Sequence, residues 1–330
     1  MNAAHAGTDT LLISDDFFGY AKEIKRTLEA RGRSVIWFPD RYAVSAAAKG
    51  TLRVAPWLAH AKTRVHFDSM INSIKHLPIR EVLVIKGESL NLDAIAKLRS
   101  ALPRSRFTLY FWDSYRNMPS SSRRKVSMFD RTLSFDPVDC SADPRLVYRP
   151  LFFLDDYGTL TSNRPDIDVL FVGTAHTDRY AVLSRLEQVL PENLSIKKVL
   201  YLPSRALFQA KRVANPSLWR ARESEFVFRS LPKAEVLSLV ARSRIVVDIE
   251  RTIQAGLTMR TFEMLGAAKK LITTNPGASQ AEFYHPANVC VIDRKSPRVD
   301  ASFLASPFHP IPAATLQRYS LSGWVDEVLP

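Results

Sequence analysis

A chain of 330 residues, 46% hydrophobic and 24% charged, has enough material for two globular domains and too much apolar content for wholesale disorder. Its 46 lysines and arginines outnumber 33 acids, a net charge of +13 that calls for a polyanionic partner: nucleic acid, an anionic membrane surface or a phosphorylated substrate. Cys140 and Cys290 stand outside any CxxC spacing, which argues against a disulfide framework or a zinc site.

Leu11–Ser14 reads as a first strand. The acidic, aromatic loop Asp15-Asp16-Phe17-Phe18-Gly19 follows, then a helix over Tyr20–Arg31 that Gly32 ends. Strands are predicted at Ser34–Phe38, Val82–Ile85, Phe107–Trp112 and Thr132–Phe135, with helical stretches over 66–76 and 91–101. The period lapses between Arg149 and Asp166, a Pro-, Gly-, Ser- and Asn-containing stretch suited to a domain boundary. It restarts with strands Asp168–Val172, Lys197–Leu202, Ile245–Ile249, Lys270–Thr274 and Asn288–Ile292. Helices are predicted at Asp178–Val189, Pro232–Ala241 and Thr258–Ala268, and Leu316–Leu329 reads as a short closing helix. Alternation of strand and helix in both halves predicts an α/β chain with two parallel sheets.

No run of about 18 apolar residues would span a membrane, and Met1–Thr10 lacks the charged and apolar regions of a secretion signal. A cytoplasmic protein is expected, free or peripheral at the inner face of the membrane. Arg104, Arg106, Arg116, Arg123, Arg124 and Lys125 make a dense basic stretch, either plain solvated surface or a patch with a partner.

Ligands of open parallel sheets bind beyond the carboxyl ends of strands, so residues that directly follow strands are the candidates. The segment Arg251 to Glu263 runs from a strand through a polar loop into a helix. Thr258 can cap that helix, its free N–H groups with Arg260 can hold a phosphate, and Glu263 can accept hydrogen bonds from a ribose. The plain alternative is a surface pair of Arg260 with Glu263 at i,i+3. Gly173 lets a ligand approach the backbone, and Thr174 or Thr177 offers a hydroxyl, although a structural turn explains them equally well. Asp113, after a strand, and Asp15 or Asp16, beside aromatic rings, are candidate catalytic bases; acids at helix entries are also common for structural reasons. Neither GxxxxGK[ST], GxGxxG, HExxH nor GxSxG occurs. The only DxD triplet, Asp166-Ile167-Asp168, leads into a strand, so no metal and no cofactor are expected.

Several segments together resemble the CgeB-like and lipopolysaccharide-core glycosyltransferases of bacteria. They are Phe17-Phe18-Gly19-Tyr20 with Lys22-Glu23-Ile24, Trp112-Asp113-Ser114, Ser134-Phe135-Asp136, Pro150-Leu151-Phe152-Phe153, Asp168 to Gly173 and, most specifically, Gly256 to Glu263 through Lys270 to Asn275. The resemblance implies a GT-B fold: two Rossmann-like domains facing a central cleft. An acceptor domain would occupy 1–155 and a nucleotide-sugar domain 156–315, with 316–330 a helix crossing back. It also implies that Arg260 and Glu263 hold the donor's diphosphate and ribose and that Gly173 and Thr174 line the donor site. Ala255 and Leu271 stand eight residues either side of Glu263, where retaining relatives carry a second glutamate, so stereochemistry stays open.

The expected activity is metal-independent transfer of a sugar from a nucleotide donor to a saccharide, lipid-linked or surface-polysaccharide acceptor such as lipopolysaccharide or capsule, with an anionic membrane surface as a further partner. The alternatives are an inactive GT-B scaffold that binds a nucleotide sugar and a basic nucleic-acid-binding protein; no RNP, KH, zinc-finger or helix-turn-helix signature supports the latter.

Overall fold

The computed structural model describes residues 9–41, 56–160, 165–176 and 178–330. Thr177, residues 161–164 of the expected linker and residues 1–8 lie outside them. Two compact units emerge: residues 1–150 with 321–330, and residues 151–320.

The N-terminal unit is built on β1 (Thr10–Ile13), β2 (Val35–Phe38), β3 (Glu81–Ile85), β4 (Arg106–Phe111), β5 (Arg131–Ser134) and β6 (Leu146–Tyr148), all parallel, in the order β2-β1-β3-β4-β5-β6. β1 is wholly buried and most of β3 and β4 is too, as a sheet covered on both faces requires. Local signals set the connecting helices. Asn91 Oδ1 accepts from the Ala94 N–H at 2.8 Å to start the helix Leu92–Ala101. Gly32, at φ +79°, ends the helix Tyr20–Ala30.

The C-terminal unit carries β7 (Ile167–Thr174), β8 (Ile196–Tyr201), β9 (Phe226–Val227), β10 (Ser243–Asp248), β11 (Lys270–Thr273) and β12 (Val289–Val291) in the order β12-β11-β10-β7-β8-β9, again all parallel. The α/β expectation of two Rossmann-like sheets holds. Among the elements that escape the sequence reading are β6, β9, the helix Arg205–Ala214 and the short helices Ser122–Lys125, Pro137–Ala142, Asp155–Gly158 and Ala301–Ala305. The closing helix is also two helices, Ala313–Tyr319 and Leu321–Val328, broken at Ser320, whose φ −69° and ψ 159° are extended.

That break falls where the chain leaves one unit for the other. Tyr319 stacks on Phe262, ring centroids 5.3 Å apart, within the C-terminal unit. Trp324 is fully buried in the N-terminal unit, edge-on to Tyr110 at 4.8 Å. Arginines hold the last helix there: Arg31 donates to the Ser322 carbonyl at 2.6 Å, Arg131 to the Glu327 carbonyl at 2.5 Å, and the buried Arg149 lies 3.1 Å from the Glu327 carboxylate.

Candidate active site

Each sheet has one place where neighbouring strands lead off in opposite directions, and ligands of such sheets bind at the carboxyl side of that point. In the C-terminal unit it lies between β7 and β10. Asp248, the last residue of β10, is buried there, and burial raises its pKa against the opposing pull of Thr258 and Arg179. Thr258 Oγ1 donates to Asp248 Oδ2 at 2.6 Å and Thr261 Oγ1 to the same oxygen at 3.2 Å. Thr258 occupies the N-cap position of the helix Met259–Gly266 but makes no side-chain cap. The expected cap is therefore corrected: its hydroxyl has a stronger acceptor in a carboxylate than in competing for the helix's own N–H groups.

One turn into this helix, Arg260 Nη1 and Glu263 Oε2 are 2.9 Å apart. The pairing at i,i+3 is the one the spacing offered, yet it is not a surface pair. Glu263 is buried and the Arg260 side chain is 19% exposed, and both bear on the Tyr157 phenol. Burial, with the Glu263 charge beside it, pushes the Tyr157 phenol well above the ordinary tyrosine range.

Arg179, at the first turn after β7, was missed by the sequence reading although it follows Gly173 closely. It donates to the Ile249 carbonyl at 2.7 Å and to the Thr174 carbonyl at 3.0 Å. A Cβ on Gly173 would lie 3.3 Å from Phe171 Cζ and 3.4 Å from Arg179 Nη1, so glycine leaves room for that guanidinium. Thr174 is exposed. Burial, then Arg179 and Arg251, lowers the His176 pKa to about 4. A second arginine, Arg294, reaches Glu250 at 2.7 Å and Asp178 at 2.8 Å. Glu250 also accepts from Thr274 Oγ1 at 2.6 Å. Arg294 and Thr274 belong to an open pocket of about 550 Å³ with Pro276, Val291, Ile292, Asp293 and Lys295. Asp166 and Asp168 of the DxD triplet lie at the opposite, amino end of β7, where Asp166 pairs with Arg242 and Asp168 with Arg244.

In the N-terminal unit the reversal lies between β1 and β3. The three candidate acids stand on its carboxyl side, and all are engaged. Asp113 Oδ2 is 3.1 Å from Lys86 Nζ, and its other oxygen accepts from Asn117 at 3.1 Å. Asp15 is 3.2 Å from Arg41, and Asp16 is 3.2 Å from Lys22. Arg41 is also 2.5 Å from Glu88, and Lys86 is 3.0 Å from the same carboxylate. Asp15, Arg41, Glu88, Lys86 and Asp113 thus form one alternating chain of charge, while Asp16 sits outside it. Burial opposes the Lys86 charge, but Asp113 and Glu88 outweigh it and keep its pKa above the lysine norm.

Lys86 and Gly87 both have positive φ, +65° and +58°, which for lysine is a strained conformation. The buried Lys125 donates to the Gly87 carbonyl at 2.6 Å, and Asp40 accepts from the Ser89 and Leu90 N–H groups. These contacts hold the loop that aims Lys86 at Asp113. Phe17 packs edge-on to Trp112 at 6.3 Å, and Phe18, at φ +52°, is 79% exposed beside it.

The basic stretch of this unit does not form one patch. Arg104 and Arg106 sit at the amino end of β4, Arg116, Arg123 and Arg124 follow its carboxyl end, and Lys125 is buried. A six-residue strand separates the two groups by about 17–20 Å.

Among the described residues no helix is long and apolar enough to cross a membrane. No protein-family model matches the chain, and no curated protein matches its sequence. Solved structures match its fold. A glycosyltransferase from Rickettsia africae aligns at 12% identity and TM-score 0.58, over 98% of this chain and 93% of that one. Anabaena HepE, solved with UDP and glucose, aligns at 11% and 0.58, over 97% and 98%. A UDP-forming α,α-trehalose-phosphate synthase from Burkholderia vietnamiensis aligns at 11% and 0.59, also over 97% and 98%. At such identities the likeness is one of fold, and the fold is GT-B, two Rossmann-like domains in one chain.

Proposed function

We propose that the protein is a glycosyltransferase whose C-terminal unit binds a nucleotide-activated sugar. The observation that carries this is the pairing of Arg260 with the buried Glu263 at the first turn of the helix after β10, where the Arg260 charge also bears on Arg179 at the reversal point of the sheet. Two guanidiniums and the N–H groups of a helix start are the chemistry that receives a diphosphate. A carboxylate one turn further in suits the paired hydroxyls of a ribose. Gly173 and Thr174 line the same strand end. That one fold neighbour, HepE, was solved with UDP and glucose supports a nucleoside diphosphate sugar as the ligand class.

In the reaction, an acceptor hydroxyl oxygen attacks the anomeric carbon, the bond from that carbon to the phosphate oxygen breaks, and the nucleoside diphosphate leaves with the bonding pair. The hydroxyl proton passes to a carboxylate. We assign that role to Asp113, with Asp15 and Asp16 as the other acids at the same sheet edge. Lys86 pairs with Asp113 at 3.1 Å and gives up that place to an acceptor hydroxyl. Phe17 and Phe18 offer aromatic faces to an acceptor sugar ring. The arginines offset charge on the departing diphosphate, so this reading needs no metal ion. The resemblance supports a lipid-linked or surface-polysaccharide acceptor.

The test is release of nucleoside diphosphate from a panel of nucleotide sugars, with and without saccharide acceptors. Acceptor-dependent release that Asp113→Asn abolishes is expected. Binding of a nucleotide sugar with no release in any acceptor's presence would make the chain an inactive scaffold.

A further inference from the structure

The helix Arg205–Ala214 is inside out. At 100° per residue, Ala206, Leu207, Ala210, Val213 and Ala214 fall within one arc of about 120°. All five are exposed, and Phe208 is the helix's single buried residue. Val213 is 83% exposed, and Trp219, carried next to the helix by the following turn, is 61% exposed. Arg212 donates to the Trp219 carbonyl at 3.3 Å, which ties the backbone of that turn to the helix. On the same wheel Lys211 lies about 40° beyond one edge of the arc, and Arg205 and Arg212 lie about 80° and 100° beyond the other, past Gln209. From Arg205 to Arg222 the chain has five cations and no carboxylate, although Arg205 pairs with Glu223 at 2.7 Å.

We infer that this helix and Trp219 dock the protein on a lipid bilayer bearing anionic headgroups. Cations on long stems beside an apolar arc can reach phosphate while the arc enters the headgroup and acyl boundary, and an indole favours that depth. Nucleic acid would satisfy the cations but leave alanine, leucine and valine facing its polar grooves and backbone. A second copy of the chain would place five like charges against five in a two-fold contact. Only the bilayer interface takes both halves of the pattern.

The surface also lies close to the proposed donor site, since Lys211 is among the charges that bear on His176. Docking would hold the rim of that site at the membrane, where lipid-linked acceptors reside. The docking itself stands whether or not the site transfers a sugar.

Co-sedimentation of the full chain with phosphatidylglycerol–phosphatidylcholine vesicles tests it, against pure phosphatidylcholine vesicles and against high salt. Binding to the anionic vesicles alone is expected. Val213→Asp with Trp219→Ser should weaken it at least tenfold, and Arg212→Glu or Arg220→Glu should weaken it roughly fivefold or more each, from the usual worth of one basic residue at a charged membrane. Arg104→Glu with Arg106→Glu, at the amino end of β4, should leave it unchanged. Because the altered side chains are exposed, thermal unfolding should stay at the wild-type midpoint and certify the fold. The inference is overturned by no vesicle binding, by salt-sensitive binding that ignores Val213→Asp with Trp219→Ser, by tighter binding to oligonucleotides than to vesicles, or by a dimer that these substitutions dissolve.

Discussion

The two sheets repeat one topological theme and fill it with opposite chemistry. At its reversal point the N-terminal sheet gathers carboxylates, Asp15, Asp16, Glu88 and Asp113, that are partly exposed and tied to lysine or arginine side chains. The C-terminal sheet gathers guanidiniums fixed to backbone, as Arg179 is to two carbonyls, or to buried carboxylates, as Arg260 and Arg294 are. Carboxylates with exchangeable partners suit the handling of protons; guanidiniums already held in place suit an anion, because little ordering remains to be done on binding. The difference teaches that a shared fold sets where ligands bind, and the residues after each strand set what is bound.

The largest effect that would sharpen this division is on turnover. Asp113→Asn should lower kcat by about 10²- to 10⁴-fold, the usual worth of a positioned base, with nucleotide affinity unchanged. A larger loss in Asp15→Asn or Asp16→Asn would move the base along the same sheet edge. A fall in nucleotide affinity would break the division outright.

Stability changes come next, and should separate the units. Trp324→Ala empties a fully buried site in the N-terminal unit and should cost about 3–5 kcal/mol in denaturant unfolding, while nucleotide binding by the folded protein persists. Gly266→Ala acts on the other unit: its Cβ would collide with the Phe153 ring. Overpacking of that kind costs about 1–3 kcal/mol, and the donor helix that Gly266 ends should lose nucleotide binding with it. Equal effects of both substitutions on binding would show that the units do not divide the work.

The smallest effect is on pH. His176 stays neutral in the folded protein down to about pH 4, whereas an unfolded histidine takes up its proton near pH 6.5. The unfolded state therefore binds more protons in that window, and stability must fall as pH drops from about 6.5 towards 4. His176→Gln should flatten that part of the profile. An unchanged profile would place His176 in water rather than beside the arginines.

Much of this was legible in the residues. Buried strands such as Thr10–Ile13 and Ser243–Asp248 announce themselves as apolar runs, and the spacing of Arg260 and Glu263 already put them on one helical face. What stayed hidden has physical causes. The helix Arg205–Ala214 shows its apolar arc to solvent, so its pattern does not mark an inward face. The three residues of β6 bury only Leu146. Lys86 adopts a left-handed conformation that lysine's own preferences do not suggest, and its place beside Asp113 depends on Lys125, distant in sequence. Thr258 had the composition of a helix cap, and a buried carboxylate ten residues earlier took its hydroxyl.

Nucleotide binding tests the central claim most directly. Thermal unfolding of the wild type, Arg260→Ala and Glu263→Gln should be followed with UDP, GDP, TDP, CMP and ADP, each variant compared with its own ligand-free midpoint. One nucleotide should stabilise the wild type, by about 2.7 kcal/mol at 100 times its dissociation constant, and both substitutions should erase that gain. A wild type indifferent to every nucleotide, or a gain that survives in both variants, would contradict the account.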